Sequence, residues 1–207
     1  MIGLLYKDFV MAAKYCRSFL LVIAVFMAVL LVEPGNAFYM VYPCLFVSMV
    51  PMSLISYDER DKWNQFSGVL PVSRGMLVSV KYLTGLLFQL GVLILSGAAW
   101  FVGLRRTGFF VVEEYLSTLV VLMSVSLLGP TLLLPCIFKL GVEKGRMAYY
   151  AVIVIFGAAA GIVAYAELDL SAIALPDWGI GGVFFICAGL FAISWLLSIR
   201  IYEKKEL

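Results

Sequence analysis

An all-α membrane protein with six transmembrane helices is the fold class this sequence predicts, on three observations. Apolar residues make up 64% of the 207, and the mean hydropathy is +1.05. Charged residues are only 14%, where a soluble domain carries roughly a quarter to cover its surface. Finally, the charges that exist are absent from six long apolar runs, each near the ~20 residues that cross a ~30 Å hydrocarbon core. A charge near the bilayer centre costs about 2.5–3.5 kcal/mol on insertion scales, so clean runs of this kind are strong evidence for spans.

Residues 1–17 come first and are not one of the runs. Ile2, Leu5, Phe9, Ala12, Ala13 and Cys16 share one helical face, with Lys7 and Lys14 opposite. That is the pattern of a helix lying in the head-group layer. The first span, Ser18–Val32, is short, and Lys14 and Arg17 can snorkel to lengthen it. The apolar run with Gly35 and Ala37 behind it loosely fits a cleaved signal, but the amphipathic helix ahead argues for a retained span. Further spans are expected at Ala37–Tyr57, Leu83–Leu104, Tyr115–Phe138, Met147–Ala166 and Gly179–Ile199. Together they make a single transmembrane domain.

Orientation follows from lysine and arginine. With both termini inside, every one of the 15 basic residues except Arg105 and Arg106 falls in a cytoplasmic segment. The positive-inside rule therefore predicts cytoplasmic N- and C-termini.

The segment Asp58–Gly68, DERDKWNQFSG, is the most polar in the chain. Asp58 is expected to cap a short helix that Gly68 stops and Pro71 cannot continue. In such a helix Glu59, Trp63 and Phe66 fall on one face at i, i+4 and i+7. Two readings stand: docking of the aromatics into a groove on a partner, or seating of both rings in the head groups. Paired prolines, Pro43 with Pro51 and Pro130 with Pro135, are expected to bend the second and fourth spans. Gly157 and Gly161 form a G-x-x-x-G that predicts close helix packing, within the chain or between chains.

Several chemistries are excluded. There is no histidine, which removes Ser-His and Cys-His catalysis and the common zinc sites. The four cysteines show no C-x-x-C spacing and read as small core hydrophobes. No phosphate-binding G-x-x-x-x-G-K-[ST] occurs, and a net charge of +2 does not point to nucleic acid. Glu113-Glu114 is similar to the glutamate pair of intramembrane prenyl-protein proteases. The arginine of that motif would fall at Thr118, so that enzyme class is rejected.

The start LLYKDF (Leu4–Phe9), the run SYDERDKW (Ser56–Trp63), LPVSR with Lys81-Tyr82-Leu83, and PCIFKLGVEKGR (Pro135–Arg146) resemble the small six-helix permeases of ABC-2 type ABC transporters. The resemblance covers essentially the whole chain. It implies a non-catalytic subunit of a bacterial cytoplasmic membrane, surrounded by lipid and paired with a second permease copy and a separate ABC ATPase. ATP and magnesium would be bound by that ATPase, and this chain would hold no cofactor. It further implies that Glu59, Arg60, Lys62, Trp63 and Phe66 belong to a coupling helix that fits the ATPase. The cargo of similar permeases includes amphipathic peptides, and Glu167–Trp178 matches where they place small re-entrant helices. The competing reading is a non-transporting assembly or sensor protein that docks another cytosolic partner through the same aromatic segment.

Overall fold

The computed structural model describes residues 1–33, 38–67, 72–108, 110–147, 150–151, 154 and 177–204. Among them are eight named helices, a further helical run at 142–147, and no strand. The eight are α1 (Ile2–Tyr15), α2 (Arg17–Val32), α3 (Phe38–Ser48), α4 (Val50–Arg60), α5 (Trp63–Ser67), α6 (Arg74–Thr107), α7 (Val112–Leu140) and α8 (Asp177–Glu203). Among the described residues, four helical stretches are long and apolar enough to cross a membrane: Tyr39–Arg60, α6, α7 and the greater part of α8. A fifth is reached if α1 and α2 count as one span, but they meet at Cys16 with a bend of 74°. The span expected at 147–166 lies outside the described residues except for Met147, Tyr150, Ala151 and Val154, as do Gly157, Gly161 and nearly all of 167–178.

The bend at Cys16 lays α1 across the bundle. Ala12 and Cys16 are buried with Ile23, Val47, Leu54 and Val92 in one apolar cluster. Just beyond, Arg17 Nε donates to Ala13 O (3.2 Å), which covers a carbonyl at the end of α1. At about 1.5 Å per residue, the 16 residues of α2 reach only ~24 Å.

Proline shapes the second span as expected, though as a break. The ladder is interrupted at Met49, between α3 and α4, and Pro51 opens α4. Pro51 has no N–H for the Val47 carbonyl. Its ring sits against Gly85 of α6, where an added Cβ would come within 2.7 Å of Pro51 Cγ. Helix α4 also runs further than expected, through Asp58 to Arg60, so Asp58 is not an N-cap. A second difference concerns α6, which begins at Arg74 and not near Leu83. Ser73 caps it, its hydroxyl accepting from Met76 N–H (3.3 Å), and Gly108 ends it at φ 78°. The basic residues Arg74 and Lys81 thus lie inside the helix.

Helix α7 holds Pro130 and Pro135 without interruption. Pro135 cannot donate to the carbonyl of Thr131, four residues earlier. That carbonyl instead accepts from Ser194 Oγ of α8 at 2.7 Å. Tyr82 of α6 lies 2.8 Å from Ser194 Oγ and 2.7 Å from Ser198 Oγ. Each hydroxyl has one proton, so the order is set: Ser198 donates to Tyr82, Tyr82 to Ser194, and Ser194 to Thr131. Trp195 stacks on Tyr82 (5.5 Å, 7°) and its indole N–H donates to Ser79 Oγ (3.0 Å). Arg74 Nη1 donates to Glu203 O (3.1 Å), which brings the start of α6 to the end of α8. This end of the bundle is called the basic end below.

At the opposite end Trp100, Phe101, Phe110 and Tyr115 form a ring cluster, with Arg105 4.9 Å above Phe110. Aromatic belts of this kind are usual where spans meet water.

The Ser194 bridge generates a prediction. Ser194→Ala removes the donor that replaces the proline's missing N–H and should cost about 1–2 kcal/mol in thermal unfolding of the purified protein. Adding Pro135→Ala restores an N–H within reach of Thr131 O, so the double variant should melt above Ser194→Ala alone. Equal melting of the two would show that the carbonyl did not depend on the bridge.

Candidate functional site

Four charges from three helices meet at the basic end. Helix α1 supplies Lys7 and Asp8, α4 supplies Asp58 and α6 supplies Lys81. Lys81 Nζ lies 2.8 and 2.9 Å from the two Asp8 oxygens and 2.6 Å from Asp58 Oδ2. Lys7 Nζ lies 2.8 Å from Asp58 Oδ1 and 3.4 Å from Asp8 Oδ1. Asp8 is wholly buried, while Asp58 and Lys81 are 5% and 7% exposed. Burying one such ion is costly, but the quartet sums to zero and each carboxylate meets both ammonium groups.

The register of α1 explains how Asp8 arrives there. Leu4, Asp8, Ala12 and Cys16 form a single i, i+4 row, and Asp8, Ala12 and Cys16 along it are buried. Ile2, Tyr6, Phe9 and Val10 point out, with Ile2 85% exposed. The two-sided wheel expected for α1 is therefore three-sided: an outward apolar arc, a lysine edge and an inward face centred on a carboxylate.

Trp63 is coupled to this cluster. Lys7 Nζ sits 4.1 Å from the centre of its ring, a cation–π contact. A cavity of ≈ 50 Å³, large enough for water, opens beside Lys7, Asp58, Trp63 and Lys81. Phe66 is different: it packs on Trp63 at 5.5 Å yet remains 59% exposed.

The remaining expected site residues do not share that face. Helix α4 ends at Arg60, and Lys62 adopts φ 56°, a left-handed conformation that breaks the helix. The single i, i+4, i+7 face of Glu59, Trp63 and Phe66 is thereby split over two helices. Glu59 Oε2 accepts from Val142 N–H (3.3 Å), in the turn after α7. Arg60 pairs with Asp61 (3.1 Å) and lies over Tyr57. Lys62 is exposed at the turn itself. Asp8 and Lys81 escaped the sequence reading, although a lone acid in an amphipathic apolar row was the available signal.

A single comparison with known proteins bears on this arrangement. The family model described as ABC-2 family transporter protein matches residues 3–203. The chain belongs to the ABC-2 transporter family. No match was found among curated proteins or among solved structures. As an ABC-2 family member it is a multi-pass membrane subunit of an ABC transporter, from a family of transport subunits that are generally non-catalytic. In this ABC-2 protein the charge quartet ties the amino-terminal helix to the second span and to α6, directly behind the segment 61–67.

The quartet can be tested by its charge balance. Lys81→Met leaves a net buried negative charge, and loss of one partner from a buried pair costs about 3–5 kcal/mol. Asp8→Asn/Lys81→Met leaves Lys7 and Asp58 as a neutral pair. The double variant should therefore retain more folded protein after heating than the single one, read by fluorescence-detected gel filtration. A double variant less stable than Lys81→Met would contradict the balance.

Proposed function

We propose that this chain is the permease of an ATP-driven exporter, with its basic end in the cytoplasm and a separate ATPase docked on segment 61–67. Two copies line the pathway, and the ATPase supplies ATP and magnesium chemistry. The cargo class is amphipathic peptides. One observation carries the docking part of the reading. On α5, Phe66 is 59% exposed while its neighbour Trp63 is bound to Lys7 of the quartet. The two aromatics thus divide the work. Phe66 is the anchor offered to the partner, and Trp63 passes displacement of the segment to α1, α4 and α6. Family membership supports an ABC ATPase as that partner in general.

The division predicts different defects. Loss of an aromatic anchor at an interface costs 2 kcal/mol or more, roughly thirtyfold in affinity. Phe66→Ala should therefore fail to capture the ATPase from a co-expressing strain. Trp63→Ala should capture it and lose cargo-stimulated hydrolysis, while Lys204→Ala behaves as wild type in both assays. Wild-type capture by Phe66→Ala would remove the docking assignment. Orientation has its own measurement: a cysteine at Glu113 should react with an impermeant thiol reagent in intact cells, and one at Asp61 should react only after the cells are opened.

A further inference from the structure

A second feature at the basic end lies outside the quartet and the docking segment. Ser53, Ser56, Tyr57 and Arg60 recur on α4 at i, i+3, i+4 and i+7, on the side turned away from buried Leu54, Ile55 and Asp58. This polar stripe faces a groove of ≈ 330 Å³ whose far wall is Val142 and Arg146. The volume falls in the range of small-molecule sites, about 300–1,000 Å³. Within it are two guanidinium groups, three hydroxyls and no carboxylate. Farther out the groove widens past Lys144 and the carboxylates Glu59 and Glu143.

The far wall is fixed in place. Gly141 reverses the chain at φ 83°, and Gly145 packs so closely on α7 that an added Cβ would lie 2.8 Å from Ile137 Cα. Glu59 holds the turn to α4 through Val142 N–H (3.3 Å), so that carboxylate is already engaged. Arg146, one residue beyond Gly145, is half-buried. The Arg60–Asp61 pair is exposed on both sides (63% and 51%) and so contributes little that an incoming anion must overcome.

We propose that this groove binds the head group of an anionic phospholipid. Paired guanidinium groups match phosphate oxygens in a fork, and the hydroxyls of Ser56 and Tyr57 supply further donors. Basic pockets between membrane helices at head-group level are a known form of anionic-lipid site. Two wall residues favour a lipid over a soluble anion: Met52 and Val142 give the groove an apolar floor at the point where α4 leaves the apolar span. Arg60 also belongs to the coupling set and pairs with Asp61 of the docked segment, but lipid retention by the isolated chain requires neither the ATPase nor a particular orientation.

The test uses the full-length purified chain, mixed with equal phosphatidylglycerol and phosphatidylcholine and examined by native mass spectrometry. The wild type should retain phosphatidylglycerol at least tenfold over phosphatidylcholine. Arg146→Gln should abolish that preference, and Arg60→Gln, at an exposed position that folding tolerates, should reduce it several-fold. Lys14→Gln, basic and exposed but outside the groove, should leave it unchanged. Glycerol phosphate in millimolar excess should not displace the lipid. Equal retention of both lipids, an unchanged preference in both arginine variants, or displacement by glycerol phosphate would overturn the assignment. Displacement by an acidic amphipathic peptide at micromolar concentration would overturn it too, by making the groove a cargo site.

Discussion

Everything at the basic end depends on burying the carboxylate of Asp8. A lone carboxylate shut away from water is among the costliest things a fold can contain. Here the cost is offset only because Lys81 and Lys7 converge on it, and because Asp58 neutralises the second ammonium. Asp58 and Lys81 come from α4 and α6, so neither is in place until those helices are in register with α1. The quartet therefore specifies one arrangement of these helices where apolar contact alone would admit several. It goes with the bend at Cys16, where α1 turns 74° from the line of α2.

Elsewhere the bundle is held by hydroxyls and aromatic rings. Inside a membrane the lipid offers no hydrogen bonds, so a proline in a span must find a substitute donor on a neighbour. Ser194 is that donor for Pro135, and Tyr82 and Ser198 extend the bond into a directed chain between α6, α7 and α8. The carbonyl that Pro135 leaves without its N–H thereby becomes a point of specific attachment. Gly85 performs the matching task for Pro51, by leaving room for its ring.

The helices were legible in the sequence because lipid makes a simple demand: long stretches without charge. That demand marks the interior of a span and says nothing about its ends, which is why α4 and α6 each begin or stop beyond the apolar run. Arg74 and Lys81 are charged, and a reading based on charge-free length leaves them outside the helix that contains them. The aromatics of segment 61–67 stand out by helical spacing, but that spacing assumes one continuous helix. A left-handed residue at Lys62 is not visible from composition, since lysine carries no preference for it, so the split between Glu59 and the two aromatics emerges only from the backbone. Asp8 was hidden for a third reason. Its partner Lys81 lies 73 residues away, beyond any local periodicity.

Helix α6 runs 34 residues without proline, close to 50 Å at ~1.5 Å per residue, and so outreaches a ~30 Å hydrocarbon core. Its neighbours on one side are each made of two pieces, joined at Cys16 and at Met49. Bending compliance in a helical assembly concentrates where the hydrogen-bond ladder is interrupted. The molecule is thus mechanically lopsided: a stiff mast on which α7 and α8 are lashed through Tyr82, and a jointed boom of α1 to α4 pinned to the same mast near its foot. The interruptions at Cys16 and Met49 put the bundle's weakest points for bending on the α1 to α4 side.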